Sequence, residues 1–297
     1  MKKQHLVLLI PSLLFLSGCE TKFEYSFTEN NEYKLYVNLK YGDANRNVLD
    51  LALPKENSHR GLVFYIHGGG WIAGDKDGYR ESLISYAKKG YACAALNYRY
   101  ADQKSVTGFE ILDDIDKALT KVKETAESSN INLEKALLSG GSAGGHLSLL
   151  YAYSRVENAP IKPSCVVSYC GPSDLVDPNF YKTDVANYKA IMNMISKVSG
   201  KSVTSSNYYS EYKDVLKSLS PIYYVNNKTV PTVICHGPID ELVPYSNALS
   251  LDEVLTKNNV EHELVTFKNS GHGLENDANA KARSDELFTD YVEKYLA

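Results

Sequence analysis

The sequence predicts an α/β fold in which a mostly parallel central sheet carries helices on both faces. Three observations lead there. Apolar runs such as "GLVFYIHGGGW" (61–71) and "YACAALNYR" (91–99) do not alternate between apolar and polar positions, as expected of strands covered on both sides. Helical stretches separate the later runs; in "GFEILDDIDKALTKVKETAESSN" (108–130), Ile111, Ile115, Ala118, Leu119 and Val122 share one face at helical spacing. After the first strands, strand and helix follow each other in turn, the order of an α/β layer structure. At 297 residues, with 43% hydrophobic and 23% charged side chains, the chain suits one large domain with a sizeable core.

The elements can be justified in order. Residues 1–18 read as an export signal outside the fold. Lys2 and Lys3 precede an apolar run, Leu6 to Leu16, shorter than the roughly 20 residues that span a bilayer and suited to the core of a signal peptide. The run ends in Leu16-Ser17-Gly18-Cys19, which resembles the bacterial lipoprotein signal. That resemblance implies cleavage before Cys19, acylation of its sulfur, and a domain anchored to a membrane outside the cytoplasm. Residues 19–31 are polar and read as a tether.

The domain proper, 32–297, opens with "YKLYVNLKYG" and "NVLDLALP", two strands joined by a polar turn at Asp43 to Arg46. After the strand at 61–71 comes a helix, "GYRESLISYAKKG", stopping near Gly90. The strand at 91–99 and the helix at 108–130 follow. "KALLSGGSAGGHLSLLYAY" (135–153) reads as strand, turn and helix. "PSCVVSYCGPSDL" and "PTVICHGPIDELVP" are each a strand with a loop. Between them, 176–220 breaks the rhythm and is long for a crossover; one or two helices inserted over the functional edge of the sheet are expected there. A helix at "NALSLDEVLTKNN", a last strand and loop at "HELVTFKNSGHGL" and a closing helix complete the chain.

Composition excludes some functions. A net charge of −4 supplies no basic field, so nucleic acid is not an expected partner. There is no H-E-x-x-H, C-x-x-C or dense Asp/His cluster, so neither metal nor other cofactor is expected. The 23 tyrosines fit strands and surface packing; a groove that stacks sugars or aromatic rings is the alternative. Cys93, Cys165, Cys170 and Cys235 lie in apolar, strand-like runs. Export would permit them to pair, but such positions favour buried free thiols.

Two glycine-rich motifs carry chemistry. Gly140-Gly141-Ser142-Ala143-Gly144 fits G-x-S-x-G between a strand and a helix. A serine at that corner stands clear of its own backbone, and the following helix favours negative charge beside it. The structural alternative is a tight turn with an incidental serine. His67-Gly68-Gly69-Gly70-Trp71 ends a buried strand. Its unshielded N–H groups suit an oxyanion, with Gly69, Gly70 and Ala143 as candidate donors, while His67 and Gly68 support the loop. The alternative is a flexible loop.

A serine nucleophile needs a base. Of seven histidines, His272 in "NSGHGL" is best placed, on a glycine-flanked loop after the last strand. His146, one turn into the helix after Ser142, is second. His5, His59, His236 and His262 sit in the signal, a polar turn, a strand end and a strand start. Asp240 in "HGPIDELVP" supplies the acid, ahead of Glu241, with Asp174 in "GPSDL" as rival. The order Ser, Asp, His is that of the α/β-hydrolase scaffold.

These residues resemble the α/β-hydrolase carboxylesterases of the hormone-sensitive-lipase-like and feruloyl-esterase-like groups. The likeness runs from "YGDANRNVLDLALP" through "HGGGW", "NYR", "GGSAGGH" and "HGPIDELVP" to "GHG". It implies Ser142 as nucleophile, Asp240 as acid, His272 as base and 67–70 as the oxyanion loop. It further implies a serine esterase acting on a small-molecule or carbohydrate ester. The chain departs from many lipase-like relatives in showing no long amphipathic cap helices before its first strands, which favours short-chain esters or acylated sugars. A peptidase or arylformamidase on the same scaffold, or a non-catalytic binding module, are the alternatives.

Overall fold

A computed structural model describes residues 23–55, 61–184 and 187–297. Nine strands of these residues share one sheet. In spatial order, β1 (Ser26–Glu29), β2 (Tyr33–Lys40), β3 (Val48–Pro54) and β5 (Ala92–Asn97) pair antiparallel. From β5 onward the neighbours are parallel: β4 (Leu62–Ile66), β6 (Lys135–Gly141), β7 (Lys162–Tyr169), β8 (Thr232–His236) and β9 (His262–Thr266). The expected mostly parallel sheet is therefore present, and its parallel strands all direct their carboxyl ends to one edge.

The unalternating runs are explained by the layers. Along β4, Leu62, Phe64 and Ile66 face one apolar cluster, while Val63 and Tyr65 face the other. The first cluster takes in α2 (Gly108–Glu127), α3 (Ala143–Ser154) and α6 (Ser246–Lys257); the second takes in α1 (Arg80–Lys88) and α7 (Ala278–Leu296). Helix α2 buries the predicted face, Ile111, Ile115, Ala118, Leu119 and Val122. It starts on a capping box: the Phe109 N–H donates to Thr107 Oγ1 at 3.3 Å and the Thr107 N–H to Glu110 Oε2 at 2.8 Å. Such a cap contributes about 1 kcal/mol. Cys93, Cys165, Cys170 and Cys235 are buried free thiols, as expected.

One reading of the sequence changes, and the helices expected at 176–220 are present. The tether was expected to run to residue 31, but Ser26–Glu29 already form β1, paired with Lys34–Val37 of β2. All four of its residues are exposed, so backbone hydrogen bonds hold this edge strand and no apolar alternation marks it. The 176–220 segment contains α4 (Tyr188–Ser199) and α5 (Lys213–Ser218), flanked by 3-10 turns at Pro178–Tyr181 and Pro221–Tyr224. Helix α4 sends Ile191, Met192, Ile195 and Val198 into the core and stops at Gly200, whose φ of 68° is left-handed. Tyr181 and Tyr208 stack at 3.6 Å within this segment, which accounts for part of the tyrosine content by packing. The signal, Cys19 and His59 lie outside the described residues.

Candidate active site

Loops at the carboxyl ends of parallel strands are where α/β sheets hold ligands, and every predicted site residue within the described residues lies on such a loop or, for Ala143, at the first position of the helix that follows one. Ser142 sits between β6 and α3 with φ 55° and ψ −123°, a costly conformation for a side-chain-bearing residue. Its N–H donates to the Tyr169 carbonyl at 2.7 Å. The glycines around it are required by close approach: a β-carbon on Gly140 would stand 2.2 Å from the Ile66 carbonyl oxygen, and one on Gly144 2.0 Å from the same atom. Only hydrogen at both positions lets the helix leave β6 directly against β4. The first N–H groups of α3, Ala143 among them, lack intrahelical acceptors and face the serine's end of the helix.

The glycine loop follows β4. Gly69 and Gly70 have φ of 106° and 58°, and Trp71 has 63°. The Gly69 carbonyl accepts from the N–H groups of Ile72 and Ala73 at 3.1 and 3.0 Å, closing the turn. Two histidines brace it. His67 is buried; Arg46 can only donate, so His67 Nε2 accepts from Arg46 Nη2 at 3.3 Å, and Nδ1–H donates to the Gly68 carbonyl at 2.7 Å. Its ring stacks on Tyr98, with centroids 4.2 Å apart. Burial drives its pKa down to about 3, against the Gly68 carbonyl and assisted by the Arg46 and Lys76 charges. His146 Nδ1 accepts from the Trp71 indole N–H at 3.1 Å, and Nε2–H donates to the Leu219 carbonyl at 2.7 Å. Burial lowers its pKa to about 4, opposed by the Leu219 carbonyl. With its lone pair already engaged, His146 is a strut between the glycine loop, α3 and the 176–220 segment, not an available base.

The acid side is built differently. Asp240, after β8, has a fully buried side chain. His272 Nδ1–H, on the loop after β9, donates to its Oδ2 at 2.8 Å, with Oδ1 at 3.0 Å. His236 Nε2 stands 3.1 Å from Oδ2 and 3.0 Å from the Val243 carbonyl. The N–H groups of Leu242 and Val243 donate to Oδ1 at 2.9 Å each. Burial alone would raise the carboxyl pKa, but the His236 and His272 hydrogen bonds outweigh it and hold Asp240 well below the usual carboxylate range. Because Nδ1 carries the donated proton, His272 Nε2 keeps the basic lone pair.

The rival acid has another role. Asp174 Oδ1 accepts from the Val176 N–H at 2.9 Å and Oδ2 lies 3.4 Å from the Tyr223 hydroxyl, so it turns the loop after β7 and meets no imidazole. Glu241 Oε2 accepts from the His272 N–H at 3.3 Å. His262 pairs with the Val260 carbonyl at the start of β9. One trio among the described residues has metal-ligand spacing: Cys170, His236 and Asp240, within 4.8 Å of one another. Asp240 is already satisfied by N–H donors there. Burial, then the Asp240 charge, keep the Cys170 thiol protonated. The donor set therefore fits a hydrogen-bonded acid better than a cation. The sequence reading places His236 at a strand end and Cys170 among buried thiols without linking either to the acid; the signal for His236 is its position four residues before Asp240.

The fold and this placement have counterparts in known proteins. The chain is 29% identical over 196 residues to the probable carboxylic ester hydrolase LipM of Mycobacterium tuberculosis, covering 63% of this chain and 43% of LipM. It is 24% identical over 232 residues to acylamino-acid-releasing enzyme 1 of Oryza sativa subsp. japonica, covering 74% of this chain and 28% of that protein. It thus spans less than half the length of these two relatives. The truncated form of a carbohydrate esterase from gut microbiota superposes with a TM-score of 0.69 at 21% identity, covering 90% of this chain and 99% of that one. The mostly parallel sheet with its helices is the α/β-hydrolase fold of such esterase structures. The family model for BD-FAE matches residues 49–255, from β3 into α6, and the chain belongs to that feruloyl-esterase-like family.

Proposed function

We propose that the protein is a serine carboxylic-ester hydrolase acting on short-chain or carbohydrate-linked acyl esters, with Ser142, His272 and Asp240 as its triad. One observation carries the reading: an imidazole hydrogen-bonded to a buried, ionised carboxylate at 2.8 Å stands at the sheet edge that also holds a strained, glycine-flanked serine. Ser142 and Asp240 fall within the family match, and His272 lies beyond it.

Each residue then has a step. Ser142 Oγ attacks the ester carbonyl carbon while its proton passes to His272 Nε2. Asp240 stays ionised, fixes the ring's tautomer and stabilises the imidazolium. The N–H groups of Gly69, Gly70 and Ala143 receive the oxyanion of the tetrahedral intermediate. Collapse expels the alcohol, which takes the proton from His272. Water, activated by the same imidazole, then releases the acid and restores Ser142.

Ser142→Ala tests this directly. Turnover of p-nitrophenyl acetate is expected to fall by about 10⁴-fold or more with the circular dichroism spectrum unchanged; undiminished turnover would sink the proposal. Acetylated xylan and methyl ferulate, run beside the p-nitrophenyl series, sort the alcohol and acyl classes. The acylamino-acid-releasing relative favours a peptidase as second reading, and cleavage of N-acetyl-alanine p-nitroanilide in preference to every ester would promote it.

We propose export and lipidation at Cys19 on the strength of the Lys2-Lys3, Leu6–Leu16 and Cys19 pattern. Among the described residues no helix is long and apolar enough to cross a membrane. A Cys19→Ser chain is expected to lose radiolabelled palmitate; retention of the label counts against the anchor.

A further inference from the structure

Helix α4 touches both the acid loop and the glycine loop of the candidate site. At its start, Asn187 Nδ2 reaches the carbonyl of Glu241, 3.4 Å away and next to Asp240. Seven residues on, about 10 Å along the helix, Met194 lies directly on Gly70. A β-carbon on Gly70 would stand 2.0 Å from Met194 Sδ and 2.9 Å from its Cγ. At its far end, Val198 and Gly200 abut Gly108 and Thr107 at the start of α2. The helix therefore runs as a beam from the acid loop, past the glycine loop, to α2. Its core-facing residues are Ile191, Met192, Ile195 and Val198; Met194 packs at the edge of that face and is only half-buried.

We propose that Met194 closes the acyl pocket and sets the length of acyl group that the protein accepts. This rests on the ester-hydrolase reading above. Its logic is the arrangement of groups around the reacting carbon. The oxyanion points to the N–H groups of Gly69 and Gly70. The leaving oxygen must point to His272, which arrives from β9, while the glycine loop arrives from β4 on the other side of β6. The acyl substituent is then left on the β4 side, where Met194 stands. A thioether against Gly70 fills the space that the outer methylenes of a longer acyl chain would need. Methionine is unbranched and adaptable, so it admits acetyl and propionyl groups and penalises each further methylene. A pocket wall of this kind discriminates by about 10- to 200-fold per methylene.

The test compares kcat/KM for p-nitrophenyl acetate, butyrate, hexanoate and octanoate in the wild-type chain and in Met194→Ala, Met194→Leu and Met194→Phe. Met194→Ala is expected to raise the hexanoate-to-acetate ratio by about tenfold or more. Met194→Leu, similar in volume, should stay close to wild type, and Met194→Phe should lower the butyrate-to-acetate ratio. A parallel series of acetates with different alcohols should keep its order in all three. The proposal is overturned if the acyl ratios do not move, or if only the alcohol series moves. Should the alanine variant fail to fold, an unchanged ratio in the leucine variant beside a lowered one in the phenylalanine variant decides the matter alone. A wild-type chain that cleaves no ester would instead remove the hydrolase reading, which separates the two failures.

Discussion

Four histidines stand near the carboxyl edge of the sheet, in two pairs with opposite kinds of partner. His67 and His146, under the glycine loop, are partnered by backbone carbonyls, an arginine and an indole. The Gly68 and Leu219 carbonyls favour a positive ring too weakly, so desolvation prevails and both are neutral struts. His236 and His272 instead flank one buried carboxylate, and their hydrogen bonds prevail over its desolvation. Hence sequence distance from Ser142 is a poor guide to a histidine's work. His146 is four residues away and committed to packing; His272 is 130 positions on and carries a free lone pair beside an ionised acid. The partner on the second nitrogen decides the role.

Within this comparison the largest effect should come from breaking the acid side. Asp240→Asn removes the charge that stabilises the imidazolium and offers His272 an amide in its place. Turnover of p-nitrophenyl acetate is expected to fall by about 10⁴-fold without loss of the folded state, read by kcat and by circular dichroism together. A loss below tenfold would mean that the buried carboxylate is only structural. The next effect sharpens the contrast within the pair. His236 shares Asp240 with His272 but is bonded through Nε2, and its Nδ1 is buried without a partner. His236→Ala is expected to cost about 1.5–3 kcal/mol of stability, the worth of a hydrogen bond to a charged group, measured by urea unfolding. Its kcat should fall far less than in Asp240→Asn. Equal losses in kcat would show instead that both imidazoles serve the reaction.

How much of this was legible in the sequence follows from how local each cause is. The Ser142 corner was legible because its constraint is written within five residues: glycines where Ile66 approaches, a strand before and a helix after. The strands at 62–66 and 92–97 were legible because both faces are apolar. Asp240 and His272 could be placed by the order of strands, although their contact is tertiary. Three features were not legible. Strand β1 is exposed at all four positions and carries only a backbone signal. The Trp71–His146–Leu219 link joins three segments whose meeting no periodicity encodes. The course of α4 over Gly70 depends on docking at both of its ends, so the 176–220 segment could be recognised as an insertion but not as a beam.

The smallest expected effect tests the neutral pair through pH. His146 has a folded-state pKa of about 4 against an ordinary 6.5, so between those values the unfolded chain binds more protons than the folded one. Stability therefore rises with pH through that window and falls as the solution is made more acidic. At pH 5.5 the cost of keeping His146 neutral is about 1 kcal/mol relative to pH 7.5. His67 acts in the same direction. Asp240 acts with the same sign at lower pH: its depressed pKa adds stability that is lost only as pH falls below the carboxylate range, so it does not shape this interval. His146→Gln keeps an acceptor for the Trp71 indole and a donor for the Leu219 carbonyl but does not titrate. Urea midpoints at pH 7.5 and 5.5 should show the wild-type chain losing about 1 kcal/mol more than the variant over the interval. Equal losses would mean that His146 charges freely in the folded protein, and the division between strut and acid partner would no longer hold.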